Sequence, residues 1–324
     1  MPAIRCRHER PMRLIDAAAT RSALSFARLV PALRERFAAG CVVPPRQALE
    51  VGAPGADAVT SLVMPAWVPG QRYGVKIVNI APGNAARGLP ALHSSYLLHD
   101  AATGAPLALI DGGEITARRT AAASALAASY LARADARQLL VVGAGRVAAL
   151  LPEAYGAVRD IGRVTVWARR AAAAEALAAR WRGLGFDAHA AAQLDAALAA
   201  ADIVACATLA AEPVVAGRLL RPGSHLDLIG SFTPAMREAD DDCLRGASLW
   251  VDTDEALAKS GDLLGPLARG VITEADVRGT LADLCAGRVA GRTGADERTV
   301  FKSVGTALED LAAAMLACDA VASG

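Results

Sequence analysis

The spacing of apolar residues changes character twice along this chain. Over residues 11–39 the pattern is helical: Leu24, Phe26, Leu29, Val30 and Leu33 recur at short intervals, and Arg34, Glu35 and Arg36 supply a polar side. A loop with Pro44, Pro45 and Arg46 follows. Short apolar runs at 61–64, 73–80, 94–98 and 106–110, separated by Gly, Pro and Asn, predict strands of a largely antiparallel sheet. Residues 117–134 are alanine-rich and read as a helix. Strand patterns at 139–142, 164–167, 202–206, 225–229 and 248–251 then alternate with helical patterns near 171–183 and 193–200, the rhythm of a doubly wound α/β sheet. Val304, Leu308, Leu311 and Met315 share one face of a final helix. The expected organisation is a sheet-bearing α+β domain of residues 1–116 plus 304–324, and a doubly wound domain of residues 117–303.

Composition narrows the class. A chain of 324 residues is long enough for two cores. Its net charge of +1 gives no electrostatic reason to expect nucleic acid or a membrane surface as partner. The hydrophobic fraction of 54% owes much to alanine, and no apolar run reaches the length of about 18 residues that a membrane span requires. The start, with Arg5, Arg7, His8, Glu9 and Arg10, lacks the apolar core of a secretory signal; its arginines and single acid resemble a transit peptide, but a misassigned start or a disordered tail is the favoured reading. Cys6, Cys41, Cys206, Cys243, Cys285 and Cys318 are scattered, with neither metal-ligand spacing nor a disulfide framework, as expected of a cytoplasmic protein without bound metal. Of 34 basic residues only Lys76, Lys259 and Lys302 are lysine, which singles these three out.

The sharpest chemical signal is Gln138-Leu-Leu-Val-Val-Gly143-Ala144-Gly145-Arg146-Val147-Ala148. An apolar strand, a glycine turn and a helical stretch form the first half of a Rossmann-type dinucleotide unit. Gly143 permits the tight turn, Gly145 lets the backbone approach a pyrophosphate, and Ala148 allows close packing of helix on strand. A helix beginning near Arg146 would direct its free N–H groups at the phosphates. The next strand ends in Ala168-Arg169-Arg170, with no acid before Glu175. An NAD-selective site places an acid there for the ribose 2′-hydroxyl, whereas arginines accommodate a 2′-phosphate, so NADPH is favoured over NADH.

Several segments together resemble one family. Tyr73-Gly-Val-Lys76-Ile-Val-Asn79-Ile-Ala-Pro82-Gly-Asn84 is similar to a Lys-x-Val-Asn-x-x-Pro-x-Asn segment, and Asp111-Gly-Gly-Glu-Ile-Thr116-Ala-Arg118-Arg119-Thr120-Ala-Ala to a Thr-x-x-Arg-Thr-Ala-Ala segment. The glycine fingerprint and the tail Thr299-Val-Phe301-Lys302-Ser303-Val-Gly305, with Glu309-Asp310, match as well. The chain is identified on these motifs as similar to the ornithine cyclodeaminase/mu-crystallin family. That resemblance implies a homodimer paired through the sheet of the first domain. It also implies a nicotinamide cofactor over a pocket for a small amino or imino acid, whose carboxylate Arg46, Lys76 and Arg119 would bind. Thr120 matches a residue near the pyrophosphate. The residues themselves agree for Lys76: among Val75, Ile77, Val78 and Ile80 a charge needs a partner. Arg118 and Arg119 cannot face the same way, and Arg118 is expected to be solvated.

One segment departs from the cyclodeaminase pattern. Where that pattern has Gly-Ala-Asp-x-Pro-Gly-Lys, this chain has Gly230-Ser231-Phe232-Thr233-Pro234-Ala-Met236. A phenyl ring can neither take a proton nor pair with an ammonium, and the nearby Asp227 reads as part of a strand. The string resembles instead the branch that reduces Δ1-pyrroline-2-carboxylate to proline and, for the six-membered ring, Δ1-piperideine-2-carboxylate to pipecolate, with Phe232 as an apolar wall. Catalytic candidates are Lys76 and His93. Cofactor contacts are expected from Thr120, Gly143, Ala144, Gly145, Arg146, Val147, Arg169, Arg170, Thr208, Ser231, Lys302 and Ser303. Three alternatives stand beside this reading: another imine or oxo-acid reduction such as an amino-acid dehydrogenase activity, ornithine cyclodeamination, and a non-catalytic NADPH-binding protein.

Overall fold

The computed structural model describes residues 11–52 and 58–323. The charged start and Cys6 lie outside them. The chain divides into two compact units: Met1–Ser25, Cys41–Thr116 and Asp310–Gly324 form the first, and Phe26–Gly40 with Ala117–Glu309 the second. The first helical stretch is therefore shared out, residues 26–40 falling in the unit that the sequence reading began at 117, and the C-terminal division falls at 309/310 rather than 303/304.

The first unit is built on a six-stranded sheet. Its strands are β1 (Arg13–Ile15), β2 (Gln47–Glu50), β3 (Thr60–Val68), β4 (Arg72–Ile80), β5 (Leu92–Asp100) and β6 (Pro106–Asp111), in the order β1-β6-β5-β4-β3-β2. All pairs are antiparallel except β1 with β6. Period-two alternation buries Met64, Ala66, Gly74, Lys76, Tyr96, Leu98, Ala108 and Ile110 on one face. The opposite face carries a cross-strand row, Pro65, Val75, Leu97, Leu109 and Leu14, each the register partner of the next.

The second unit holds eight parallel strands: β7 (Gln138–Val142), β8 (Arg163–Trp167), β9 (Ala188–Ala190), β10 (Ile203–Cys206), β11 (His225–Leu228), β12 (Ser248–Val251), β13 (Val277–Thr280) and β14 (Thr299–Lys302). Their order, β13-β12-β14-β11-β10-β7-β8-β9, runs outward in both directions from β7 and β10. This reversal is the topological switch point of a Rossmann-type sheet, and ligands bind at the carboxyl ends of its strands. Every residue of β10, β11, β12 and β14 is buried, which is why most of these strands read as apolar runs.

The elements differ from expectation where polar residues intervene. Residues 11–39 are not one helix. Asp16 ends β1 and caps the helix Ala17–Ala23, accepting from the Ala19 N–H at 2.8 Å, and a second helix runs Phe26–Ala39. The alanine-rich helix starts earlier, at Gly112, where Asp111 Oδ1 accepts from the Glu114 N–H at 2.7 Å. The last helix starts later, at Ala307, so Val304 lies in the turn before it. After the glycine fingerprint there is no regular helix from Arg146. A 3₁₀ turn, Ala148–Leu150, leads into the short helix Leu151–Gly156. No helix among the described residues is long and apolar enough to cross a membrane.

Candidate active site

The carboxyl end of β7 has the form a pyrophosphate needs. Gly143 has φ +118°, and a Cβ there would fall 2.5 Å from the Ala207 carbonyl oxygen, so the turn demands glycine for internal reasons. Gly145 is different. Its φ is ordinary, and a Cβ would meet no protein atom within 4 Å. Nothing in the fold requires glycine at Gly145, and the open space over it fits a group that approaches the backbone from outside. Ala144, Gly145 and Arg146 are exposed, Val147 is half-buried, and Ala148 is fully buried against the sheet. The helix that follows the turn, Leu151–Gly156, is too short to supply much dipole.

β8 ends beside this turn, as the Gly143 N–H donates to the Trp167 carbonyl at 2.8 Å. Arg169 and Arg170 follow it, both exposed, and neither guanidinium forms an ion pair among the described residues. Arg170 immediately precedes the helix Ala171–Gly183. Two free cations at this strand end suit a 2′-phosphate.

The loops after β10, β11 and β14 are tied together from within. Glu238 is fully buried and accepts from the Thr208 N–H at 2.7 Å, the Thr208 hydroxyl at 2.8 Å and the Gly230 N–H at 2.6 Å. Burial holds its carboxyl above the usual range. Asp262 accepts from the Glu238 N–H at 2.7 Å. Lys302, also fully buried, donates to the Leu228 carbonyl at 2.8 Å with Asp262 Oδ2 at 3.6 Å. Asp252 receives the N–H groups of Val304 and Gly305 at 2.8 and 2.6 Å. Ser231 donates its hydroxyl to the Met236 carbonyl at 2.6 Å and meets the Ser260 hydroxyl at 2.9 Å. The side chains of Thr208, Ser231 and Lys302 are thus engaged inside the protein, and Ser303 is buried beside them. Phe232, by contrast, is 44% exposed in the loop after β11. Asp227 is fully buried in β11 and accepts from the Tyr155 hydroxyl at 2.6 Å, which places it among structural groups.

Two buried ion pairs involve the expected substrate-binding cations. In the first unit, Lys76 Nζ on β4 lies 2.6 Å from Asp310 Oδ2, and both side chains are almost wholly buried. Arg46 is half-buried just before β2, and His93 is exposed on β5 opposite Asn79. In the second unit, Arg119 Nη1 lies 2.5 Å from Glu309 Oε2. Gly305, at φ +76°, makes room for that guanidinium, since a Cβ there would fall 2.5 Å from Nη1. Thr120 is half-buried on the same helix. Arg118 corrects an expectation. It is buried rather than solvated, 4.5 Å above the centre of the Phe26 ring and 3.1 Å from Glu153. A cation can be buried when an aromatic face and a carboxylate replace its water. The sequence reading gave no role to Glu238, Asp252 or Asp262. It quoted Glu309 and Asp310 only as part of a motif, although two consecutive acids in so apolar a helix were a signal of buried cations.

The parallel sheet, its glycine turn and the arginines after β8 define a dinucleotide-binding protein of Rossmann type. The model of the ornithine cyclodeaminase/mu-crystallin family matches residues 20–324, and the chain belongs to that family. A Δ1-pyrroline-2-carboxylate reductase from Paracoccus denitrificans is 44% identical over 290 residues, covering 89% of this chain and 90% of the relative. Among solved structures, the Δ1-pyrroline-2-carboxylate reductase of Thermococcus litoralis, in complex with NADH and L-proline, superposes with a TM-score of 0.90 at 34% identity, covering 96% and 98% of the two chains. An archaeal alanine dehydrogenase dimer with bound NAD gives a TM-score of 0.89 at 30% identity, covering 96% of each chain.

Proposed function

We propose that this protein is an NADPH-dependent reductase of cyclic imino acids, acting on Δ1-pyrroline-2-carboxylate to give L-proline and on Δ1-piperideine-2-carboxylate to give L-pipecolate. The observation that carries the reading is Phe232, an exposed ring after β11 where the cyclodeaminase motif has an aspartate. Asp227 offers no substitute, being buried against Tyr155. The likeness to two pyrroline-2-carboxylate reductases supports the same choice. When bound, a nicotinamide would supply hydride to C2 of the C=N bond, and the ring nitrogen would take one proton to become a secondary amine.

The protein's part is binding and charge. Arg46, Lys76 and Arg119 bind the substrate carboxylate, an arginine fork being suited to both oxygens. Phe232 packs on the ring methylenes. The turn Gly143-Ala144-Gly145-Arg146-Val147 and Thr120 receive the pyrophosphate, and Arg169 and Arg170 the 2′-phosphate. Thr208, Ser231, Lys302 and Ser303 shape the cofactor edge chiefly by fixing its loops. Lys76 and His93 are the candidates for managing the nitrogen proton, and the pH–rate profile of His93→Asn separates them: it changes shape if His93 supplies the proton and keeps the native shape if it does not. The apolar row Pro65, Val75, Leu97, Leu109 and Leu14 supports a homodimer paired through this sheet, as does the dimeric state of the archaeal relative.

The test is NADPH oxidation by the purified protein with each cyclic imine, with NADH and Lys76→Met as controls. Rapid, NADPH-preferring turnover that the mutation abolishes is expected. NADPH binding without turnover on either ring would overturn the assignment.

A further inference from the structure

The buried cation of β4 has a built environment that the reaction alone does not explain. Lys76 is flanked in register by Met64 on β3 and Tyr96 on β5, and its ammonium reaches Asp310 Oδ2 at 2.6 Å. Tyr96 is fully buried, and its ring lies over Gly74, where a Cβ would fall 2.1 Å from the Tyr96 hydroxyl. Burial, followed by the charge of Asp310, drives the Tyr96 phenol well above its ordinary range, with Cys41 and Tyr73 adding smaller effects in the same direction. Met64 on β3 and Tyr96 on β5 are thus the cross-strand neighbours of Lys76, neither of them charged, and Asp310 on the last helix brings a carboxylate to its ammonium.

We infer that Asp310 is the positioning residue of Lys76, fixing its ammonium at one point of the sheet and keeping it protonated so that it serves as a permanent cation for the substrate carboxylate. An amine this deeply buried would shed its proton without a counter-ion. With Asp310 present it keeps the proton, and Lys76 acts as a clamp and not as the source of the nitrogen proton. The role in binding rests on the reductase reading; the control of protonation does not.

The chain's small lysine content makes the experiment direct. With ¹³Cε-labelled lysine only Lys76, Lys259 and Lys302 contribute signals, and Lys76→Met assigns one of them. Asp310→Asn is expected to lower the Lys76 titration midpoint by about one to three pH units, and Asp310→Glu to restore most of it. In turnover, Asp310→Asn should raise the imino-acid KM and lower kcat/KM on the order of 100-fold. The alkaline limb of the pH profile should move to lower pH, and NADPH affinity should not change. An unchanged Lys76 midpoint in folded Asp310→Asn, or equal damage by Asn and Glu to the melting temperature and to NADPH binding, overturns the inference. A shifted midpoint in a protein that reduces neither imine would leave Asp310 in its role and remove the reductase reading instead.

Discussion

Replacing Asp227 by asparagine should stabilise the protein at neutral pH, contrary to the usual result of removing a buried hydrogen-bonded acid. The Asp227 carboxyl is pushed up from 3.8 to about 6, first by burial and against the opposing pull of the Tyr155 hydroxyl. A folded value above the unfolded one means that the fold prefers the protonated acid. Its contribution is complete below the unfolded value of 3.8, declines as pH rises toward 6, and above that leaves the fold weaker by about 3 kcal/mol. Asparagine is neutral throughout and can still accept from Tyr155. Its buried amide hydrogens impose a pH-independent penalty of roughly 1–2 kcal/mol. Asp227→Asn should therefore match or fall below the native protein in stability near pH 4.5 and exceed it near pH 7.5, the difference moving by about 2 kcal/mol across that range. Urea unfolding at several pH values, followed through the buried Trp181 and Trp250 of the same unit, measures this. A stability difference that stays constant with pH would refute the argument. Turnover should survive the change, because Asp227 has no exposed surface with which to reach a substrate.

Other substitutions separate structure from function at single residues. Gly145→Ala should fold with unaltered stability yet bind the dinucleotide at least tenfold more weakly, whereas Gly143→Ala should lose stability in its absence; thermal melts with and without NADPH distinguish the two. Arg169→Ala and Arg170→Ala should each lower kcat/KM for NADPH on the order of 10- to 100-fold and leave NADH almost unaffected, each removing one charge-assisted contact to phosphate. His225 is fully buried and its imidazole is depressed to about 3, chiefly by burial. Because that value lies below the ordinary 6.5, its contribution is present above pH 6.5 and is lost as pH falls toward 3. By pH 5 the loss should reach about 2 kcal/mol, and His225→Gln should flatten this part of a urea midpoint against pH curve.

What the sequence revealed and what it concealed have one physical cause. β7, β10 and β12 were legible because burial on both faces writes a parallel strand as an apolar run, and β8 and β11 because Val164 and Val166, and Leu226 and Leu228, alternate with polar residues. β14 was not read as a strand, since Thr299 and Lys302 look like surface residues. They are buried because Thr299 bonds to His225 and the Leu131 carbonyl, and Lys302 to the Leu228 carbonyl, all remote in sequence. The same distance hid the partners of the cations. The apolar setting of Lys76 showed that its charge needed compensation, but only folding reveals that Asp310 provides it. Arg118 was expected to lie in water because Glu153 and the Phe26 ring could not be foreseen beside it. A local pattern can thus show that a charge needs a counterpart, while the fold decides whether the chain supplies one. At Lys76, Arg118 and Arg119 it supplies a carboxylate. At Arg169 and Arg170 it supplies none among the described residues, and this is the observation behind the proposal of a 2′-phosphate at this edge of the sheet.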